Sequence, residues 1–193
     1  MGDILNQIKF GIAGYGKMGK IREQSINDSD NATLISIYDI VEHKLYDDNI
    51  IICDSFEHLL ETDIDAVIVS VYVSMAAECV ILALRAGKHV FCEKPPSMTS
   101  KEMLEVIKVE KQTGKVLKYG FNHRFHYSVM EAKKIINNES LGKLLWMRGV
   151  YGKAGSIDFK DNWRNYKKYS GGGIIMDQGI HMLDPVSYTH LRA

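Results

Sequence analysis

Cysteine is scarce in this chain: there are three, Cys53, Cys79 and Cys92. So small and odd a number excludes a disulfide framework, and none stands at metal-ligand spacing from another cysteine or a histidine, so no metal site is expected. Charge of one sign is also missing. The 24 basic residues balance 24 acidic ones, which leaves no electrostatic footprint for nucleic acid or an anionic membrane. No uninterrupted apolar run is long enough to cross a bilayer. The first residues lack the basic start and apolar core of a secretory signal. Together these absences point to a reduced, cytoplasmic protein with neither nucleic acid nor membrane as a partner. Proline is as rare as cysteine, with three in the chain. Two of them, Pro95 and Pro96, stand side by side directly after Glu93 and Lys94.

What is present is a core. Apolar residues make up 46% of the chain, enough to bury a substantial interior. Apolar runs at 8–13, 32–38, 50–53, 66–73, 89–93 and 116–121 read as strands. Helical segments are expected at 18–26, 56–60, 75–85 and 100–111, with Ser55 capping the second. Gly87 and Gly114 close the third and fourth, and Thr99 with Glu102 forms a capping box at the start of the fourth. Residues 40–48 are polar and leave room for little helix. Strand and helix alternate to about residue 120, and each crossover suits only parallel strands. The expected fold is therefore α/β, a doubly wound parallel sheet over residues 1–121. The rhythm then changes. A helix at 127–138, a strand at 144–151 and a helical segment at 174–183 open a second domain over 122–184. One strand and two helices cannot bury a core by themselves, so that domain reads as incomplete.

Gly14-Tyr15-Gly16-Lys17-Met18-Gly19 is G-x-G-x-x-G placed between an expected strand and an expected helix. Such glycines allow the turn, admit a pyrophosphate to the backbone and let helix and strand pack closely. Free N–H groups at the helix start then face the phosphates. Asp39 falls at the end of the next strand, at the spacing this fingerprint requires, although a plain turn residue would also suit the position. Its carboxylate would accept bonds from the adenosine ribose hydroxyls and repel a 2′-phosphate. Neither Ile40 nor Val41 could receive that phosphate, so NAD is expected rather than NADP. Glu93 and Lys94 stand at the carboxyl end of the fifth strand, where open α/β sheets bind ligands. The prolines restrict the backbone around Lys94. A surface Glu–Lys pair ahead of a helix would look the same. Asp177 and His181, four residues apart after Gly171-Gly172-Gly173, would share one face of a helix. That spacing suits an acid that orients a catalytic imidazole, and equally an ordinary helix ion pair.

The glycine motif, the Ala86-Gly87-Lys88-His89-Val90 segment leading to Glu93-Lys94-Pro95, and the triple glycine leading to Asp177 and His181 together resemble the glucose–fructose oxidoreductase / inositol dehydrogenase (Gfo/Idh/MocA) family, over about residues 8–184. The resemblance implies a Rossmann domain, the beginning of a C-terminal α/β domain whose open sheet carries substrate and oligomer contacts, and a homo-oligomer. It also implies NAD(P)-dependent oxidation or reduction of a hydroxyl carbon on a sugar, cyclitol or nucleotide sugar. It makes Lys94, His181 and Asp177 the catalytic set, converging beside the dinucleotide. Gly14, Tyr15, Gly16, Lys17, Met18, Gly19, Asp39, Ser70, Val71, Glu93 and Asn122 become candidate cofactor contacts. Arg124, Trp163 and Arg164 join the catalytic three as candidate substrate contacts.

The chain departs from the family pattern in two places. The loop after the fourth strand, Val71-Tyr72-Val73-Ser74-Met75-Ala76-Ala77-Glu78, carries neither the usual Thr-Pro nor the downstream histidine. Pro185 is expected to interrupt the helix that carries His181, and residues 185–193 are expected to be a non-native tail in which His190 has no role. Two other readings remain open: a cofactor-binding regulator without turnover, and a glycosidase-type member that recycles its NAD.

Overall fold

A computed structural model describes residues 7–41, 49–139, 142–143, 145–146, 148, 150 and 163–187. The chain divides into two compact units, Met1–Gly120 and Phe121–Ala193. In the first, strands β1 (Ile8–Ala13), β2 (Ala32–Tyr38), β3 (Ile51–Cys53), β4 (Ala66–Val69), β5 (His89–Cys92) and β6 (Leu117–Tyr119) form one sheet in the order β3-β2-β1-β4-β5-β6. Every neighbouring pair is parallel. Helices α1 (Lys17–Asn27), α2 (Phe56–Glu61), α3 (Val73–Arg85) and α4 (Ser100–Thr113) make the connections. The chain winds outward in both directions from β1 and β4. The crevice between those two strands opens at their carboxyl ends, the switch point at which such sheets bind ligands.

Alternation along β4 shows how the sheet is covered. Val67 and Val69 enter a cluster with Val80, Leu84, Val106 and Val109 of α3 and α4. Ile68, between them in sequence, enters a second cluster with Ile12, Tyr15, Ile26 and Ile37. Successive side chains of a strand point to opposite faces, so a central strand buried on both sides must be apolar throughout. All four residues of β4 are buried. On α3 the buried residues Val73, Ala76, Ala77, Val80, Ala83 and Leu84 recur at helical spacing and form the stripe that lies on the sheet. The capping box expected at α4 is present, with Glu102 N donating to Thr99 Oγ1 and Glu102 Oε2 accepting from Thr99 N.

Three expectations need correction or limiting. The strand expected over 66–73 ends at Val69, and Val73 already begins α3. The apolar run continues because the first turn of α3 buries Val73 as completely as a strand would, and composition cannot separate the two over so short a stretch. Residues 42–48 lie outside the described residues, as does much of the strand expected at 144–151. Pro185 does not interrupt its helix.

The second unit contains a 3₁₀ turn, Asn122–Phe125, followed by α5 (Tyr127–Asn137), a second 3₁₀ turn, Trp163–Asn165, and the single-turn α6 (Lys167–Ser170). A π-helical segment, Ile175–Gly179, then runs into α7 (Ile180–Val186). Pro185 sits inside α7. It falls one residue from the helix end, so its missing N–H removes a single bond to the preceding turn and there is little helix beyond it to disrupt.

Candidate functional site

The glycine turn joins β1 to α1 by close backbone packing. Gly14 adopts φ +86°, and a Cβ there would lie 2.5 Å from the Ser70 carbonyl oxygen. At Gly19 a Cβ would lie 2.3 Å from the Gly14 carbonyl oxygen. No side chain fits at either point. A Cβ at Gly16, by contrast, would meet nothing within 4 Å, so the start of α1 faces open space. The ladder continues past the strand ends. Gly14 N donates to Tyr38 O, Ser70 N to Ala13 O and Glu93 N to Val69 O, each at 2.8 Å. The first residues after β1, β4 and β5 are thereby set along one edge of the sheet.

Asp39, directly after β2, is tied to the same turn. Its Oδ2 accepts from Tyr15 N at 2.5 Å and its Oδ1 from Val41 N at 3.0 Å. A carboxylate offers about four acceptor positions, more than the two that these amides take. The Tyr15 ring turns inward to the Ile12 cluster. Its hydroxyl donates to Glu23 Oε2 at 2.5 Å. Burial, and then the bond to Glu23, push this phenol up from its ordinary range. Tyr15 thus contributes its backbone to the turn and its ring to the core. Ser70 donates through Oγ to Gly14 O at 2.5 Å, and Ser70 and Val71 are half-buried beside the glycine turn. Lys17 is exposed and Met18 half-buried at the start of α1. An open helix start, a glycine cradle that Cβ atoms would fill, and a carboxylate at the neighbouring strand end fit a bound dinucleotide.

Glu93 is held from two sides. Arg22 of α1 donates from Nε at 2.7 Å and from its terminal nitrogen at 2.5 Å, both to Glu93 Oε1. On the other side Gly120 has no side chain; a Cβ there would lie 2.8 Å from Oε2. Lys94 follows, half-buried, and the Lys94–Pro95 bond is cis. Sequence reasoning overlooked Arg22. Its signal was register: residue 22 lies three after the buried Gly19 and four before the buried Ile26, on the inward face of α1.

In the second unit Asp177 lies in the π-helical segment and His181 in α7. The α-helical spacing argument therefore does not carry over directly, because π turns bond i to i+5. Asp177 Oδ2 accepts from Arg164 Nε at 3.2 Å and from Gln178 Nε2 at 2.8 Å. The Arg164 guanidinium lies 4.4 Å from the centre of the Trp163 ring. Trp163, Arg164 and Asp177 thus form one connected chain. His181 is buried and stacks on His123, with ring centres 4.2 Å apart and planes 22° apart. Arg124, a candidate substrate contact, makes a two-point ion pair with Asp184, its Nε lying 2.7 Å from Oδ2. Sequence reasoning missed His123 and Asp184, although Asp184 stands one helical turn after His181. Asn122 is exposed at the start of its 3₁₀ turn. Lys94 belongs to the first unit, and Asp177 and His181 to the second.

Residues 8–121 match the model of the GFO/IDH/MocA oxidoreductase family with its NAD-binding Rossmann fold, and residues 129–190 match the GFO/IDH/MocA C-terminal domain. The chain belongs to this family. Among its relatives, myo-inositol 2-dehydrogenase of Thermotoga maritima is 30% identical over 187 residues, covering 94% of this chain and 54% of that enzyme. The 2,7-anhydro-N-acetylneuraminate hydratase of Escherichia coli is 29% identical over 187 residues, covering 94% of this chain and 49% of that enzyme. Among solved structures, the myo-inositol 2-dehydrogenase of Lactobacillus plantarum superposes with a TM-score of 0.81 at 25% identity, covering 95% of this chain and 56% of that one. The chain spans about half the length of these Gfo/Idh/MocA relatives. Among the described residues, no helix is long and apolar enough to cross a membrane.

Proposed function

We propose that this protein is an NAD-dependent oxidoreductase that transfers a hydride between nicotinamide and a hydroxyl carbon of a sugar, cyclitol or nucleotide sugar. The observation that carries the reading is the glycine turn, which joins the open start of α1 to the Asp39 carboxylate through Tyr15 N. Asp39 would bind the ribose hydroxyls and disfavour a 2′-phosphate by charge, which favours NAD over NADP. The bound nicotinamide supplies the hydride acceptor.

The remaining chemistry belongs to the chain. Oxidation of an alcohol releases a proton from oxygen, and a hydroxyl is a far weaker acid than an imidazolium of pKa about 6.5. His181 takes that proton as general base, which requires the developing negative charge to be stabilised. Lys94 provides the positive charge. Asp177, oriented by Arg164, accepts hydrogen bonds from substrate hydroxyls. The family's inositol-dehydrogenase relatives support a polyhydroxylated substrate. A cytoplasmic homo-oligomer fits this reading.

A second reading has support from the hydratase relative, whose named reaction adds water without net oxidation. In that case NAD would be restored within each turnover. Substrates deuterated at the reacting carbon separate the two. Deuterium in accumulating NADH supports the dehydrogenase, whereas hydration or elimination products without accumulated NADH support recycling. Binding with neither outcome across the panel would leave a regulator. Lys94→Ala is expected to abolish turnover, by about a hundredfold or more for loss of a charge-stabilising donor, while NADH fluorescence titration still shows binding. Undiminished turnover would remove Lys94 from the chemistry.

A further inference from the structure

We propose that Arg22 is a positioning residue for Lys94, acting through Glu93; this rests on the role given to Lys94 above. Four observations converge on it. Both guanidinium bonds go to one oxygen, Glu93 Oε1. The guanidinium lies 4.8 Å from the centre of the Phe91 ring, on the same strand as Glu93's neighbour Cys92. The pair is largely shielded, with side chains 22% and 13% exposed. Gly120 closes the far side of the carboxylate by backbone alone, and Gly120 N is itself bonded to Cys92 O at 2.9 Å.

The Glu93 side chain therefore has one permitted direction. Arg22 and Phe91 define it on one side and the Gly120 backbone on the other. The Glu93 backbone is fixed as well, through its N–H to Val69 O. Lys94 is the next residue and Pro95, buried, the one after. With the residues on both sides immobilised, Lys94 departs from the strand end in one direction. A shielded ion pair adds little net stability, because desolvation offsets the attraction. Its contribution is direction, and a planar guanidinium gives direction that an ammonium cannot. Arg22 also lies on the helix whose start faces the phosphate position, so α1 sets both ends of the cofactor cradle.

The test measures how fast Lys94 is acylated by limiting acetic anhydride, by peptide mass spectrometry. The exposed Lys101 and Lys108 of α4 serve as internal references. It is run on the full chain and on Arg22→Met, Arg22→Lys, Glu93→Gln and Gly120→Ala. Loss of the charged hydrogen bonds is expected to raise the ratio of Lys94 to reference acylation about three- to tenfold in Arg22→Met and Glu93→Gln. Arg22→Lys should restore part of the difference, and Gly120→Ala should raise the ratio with Arg22 intact. General loosening would also expose the half-buried Lys88, whose Nζ donates to Ile64 O, and raise its ratio in parallel; that result, or an unchanged Lys94 ratio, overturns the proposal. If Arg22→Met does not fold, the remaining variants decide by the same ratio. Repeating the native measurement with saturating NADH keeps the functional reading separate. Protection of Lys94 supports its place beside the cofactor. Absence of protection counts against that placement while the cofactor-free ratios still decide Arg22.

Discussion

Asp39 and Cys79 show how differently a single side chain can be tested. Asp39 places a carboxylate against the glycine turn, its Oδ2 accepting from Tyr15 N. Asp39→Ala is expected to weaken NAD binding about ten- to a hundredfold, as for the loss of hydrogen bonds to a charged group, and to narrow the preference over NADP. Isothermal titration with both cofactors checks this, and an unaltered preference would count against the ribose contact. Cys79 is buried in α3, and its thiol is pushed up to about 12, first by burial and then by Glu78 and Glu57. The fold therefore favours the protonated thiol. That stability is fully present below the unfolded thiol's pKa of about 8.5 and is lost as pH rises toward the folded value. The urea midpoint should fall above pH 8.5, and Cys79→Ala should fall less steeply; parallel curves would refute the linkage. Asp39 was legible from the sequence because the fingerprint fixes its distance from the glycines. Arg22, His123 and Asp184 were not, because each acquires meaning only from a partner 71, 58 or 60 positions away.

Among the elements, α4 most closely follows its local signals. Thr99 and Glu102 bond reciprocally at its start, and Gly114 takes a left-handed conformation at its end. Thr99→Ala should cost about 1 kcal/mol, as for loss of an N-cap. Equilibrium urea unfolding measures it, and a change of a few tenths or less would show that Glu102's remaining bonds, including that from Met98 N, suffice. The start of α3 was misread for a matching reason. The apolar run of β4 carries on through the half-buried Val71 and Tyr72 to the buried Val73 that opens α3, so no periodicity marks the boundary. The π turn before α7 was equally invisible. It alters the register between Asp177 and His181 without leaving a mark on composition.

For the whole molecule, burial is distributed unequally. Both apolar clusters lie within Met1–Gly120. Among the described residues of the second unit only Ser170 and His181 are buried, and Phe125, Trp146, Val150, Ile174 and Ile175 stay exposed. The urea m-value should therefore correspond to a domain of about 120 residues rather than 193, since m scales with the area exposed on unfolding. A chain ending at Gly120 should still bind NADH. An m-value proportionate to the full length, or loss of binding on truncation, would show that the second unit folds cooperatively with the first. The exposed apolar groups also predict self-association with rising concentration, detectable by sedimentation. The sequence by itself determined the α/β alternation, the parallel sheet, the glycine turn and the family. Each of these is written in local periodicity or short spacing, where neighbouring residues act on one another directly. Only the tertiary structure decided which face of α1 holds Glu93, which carboxylate receives Arg124 and which ring lies on His181. Those pairings join residues brought together by packing of the fold, and packing leaves no period in the chain.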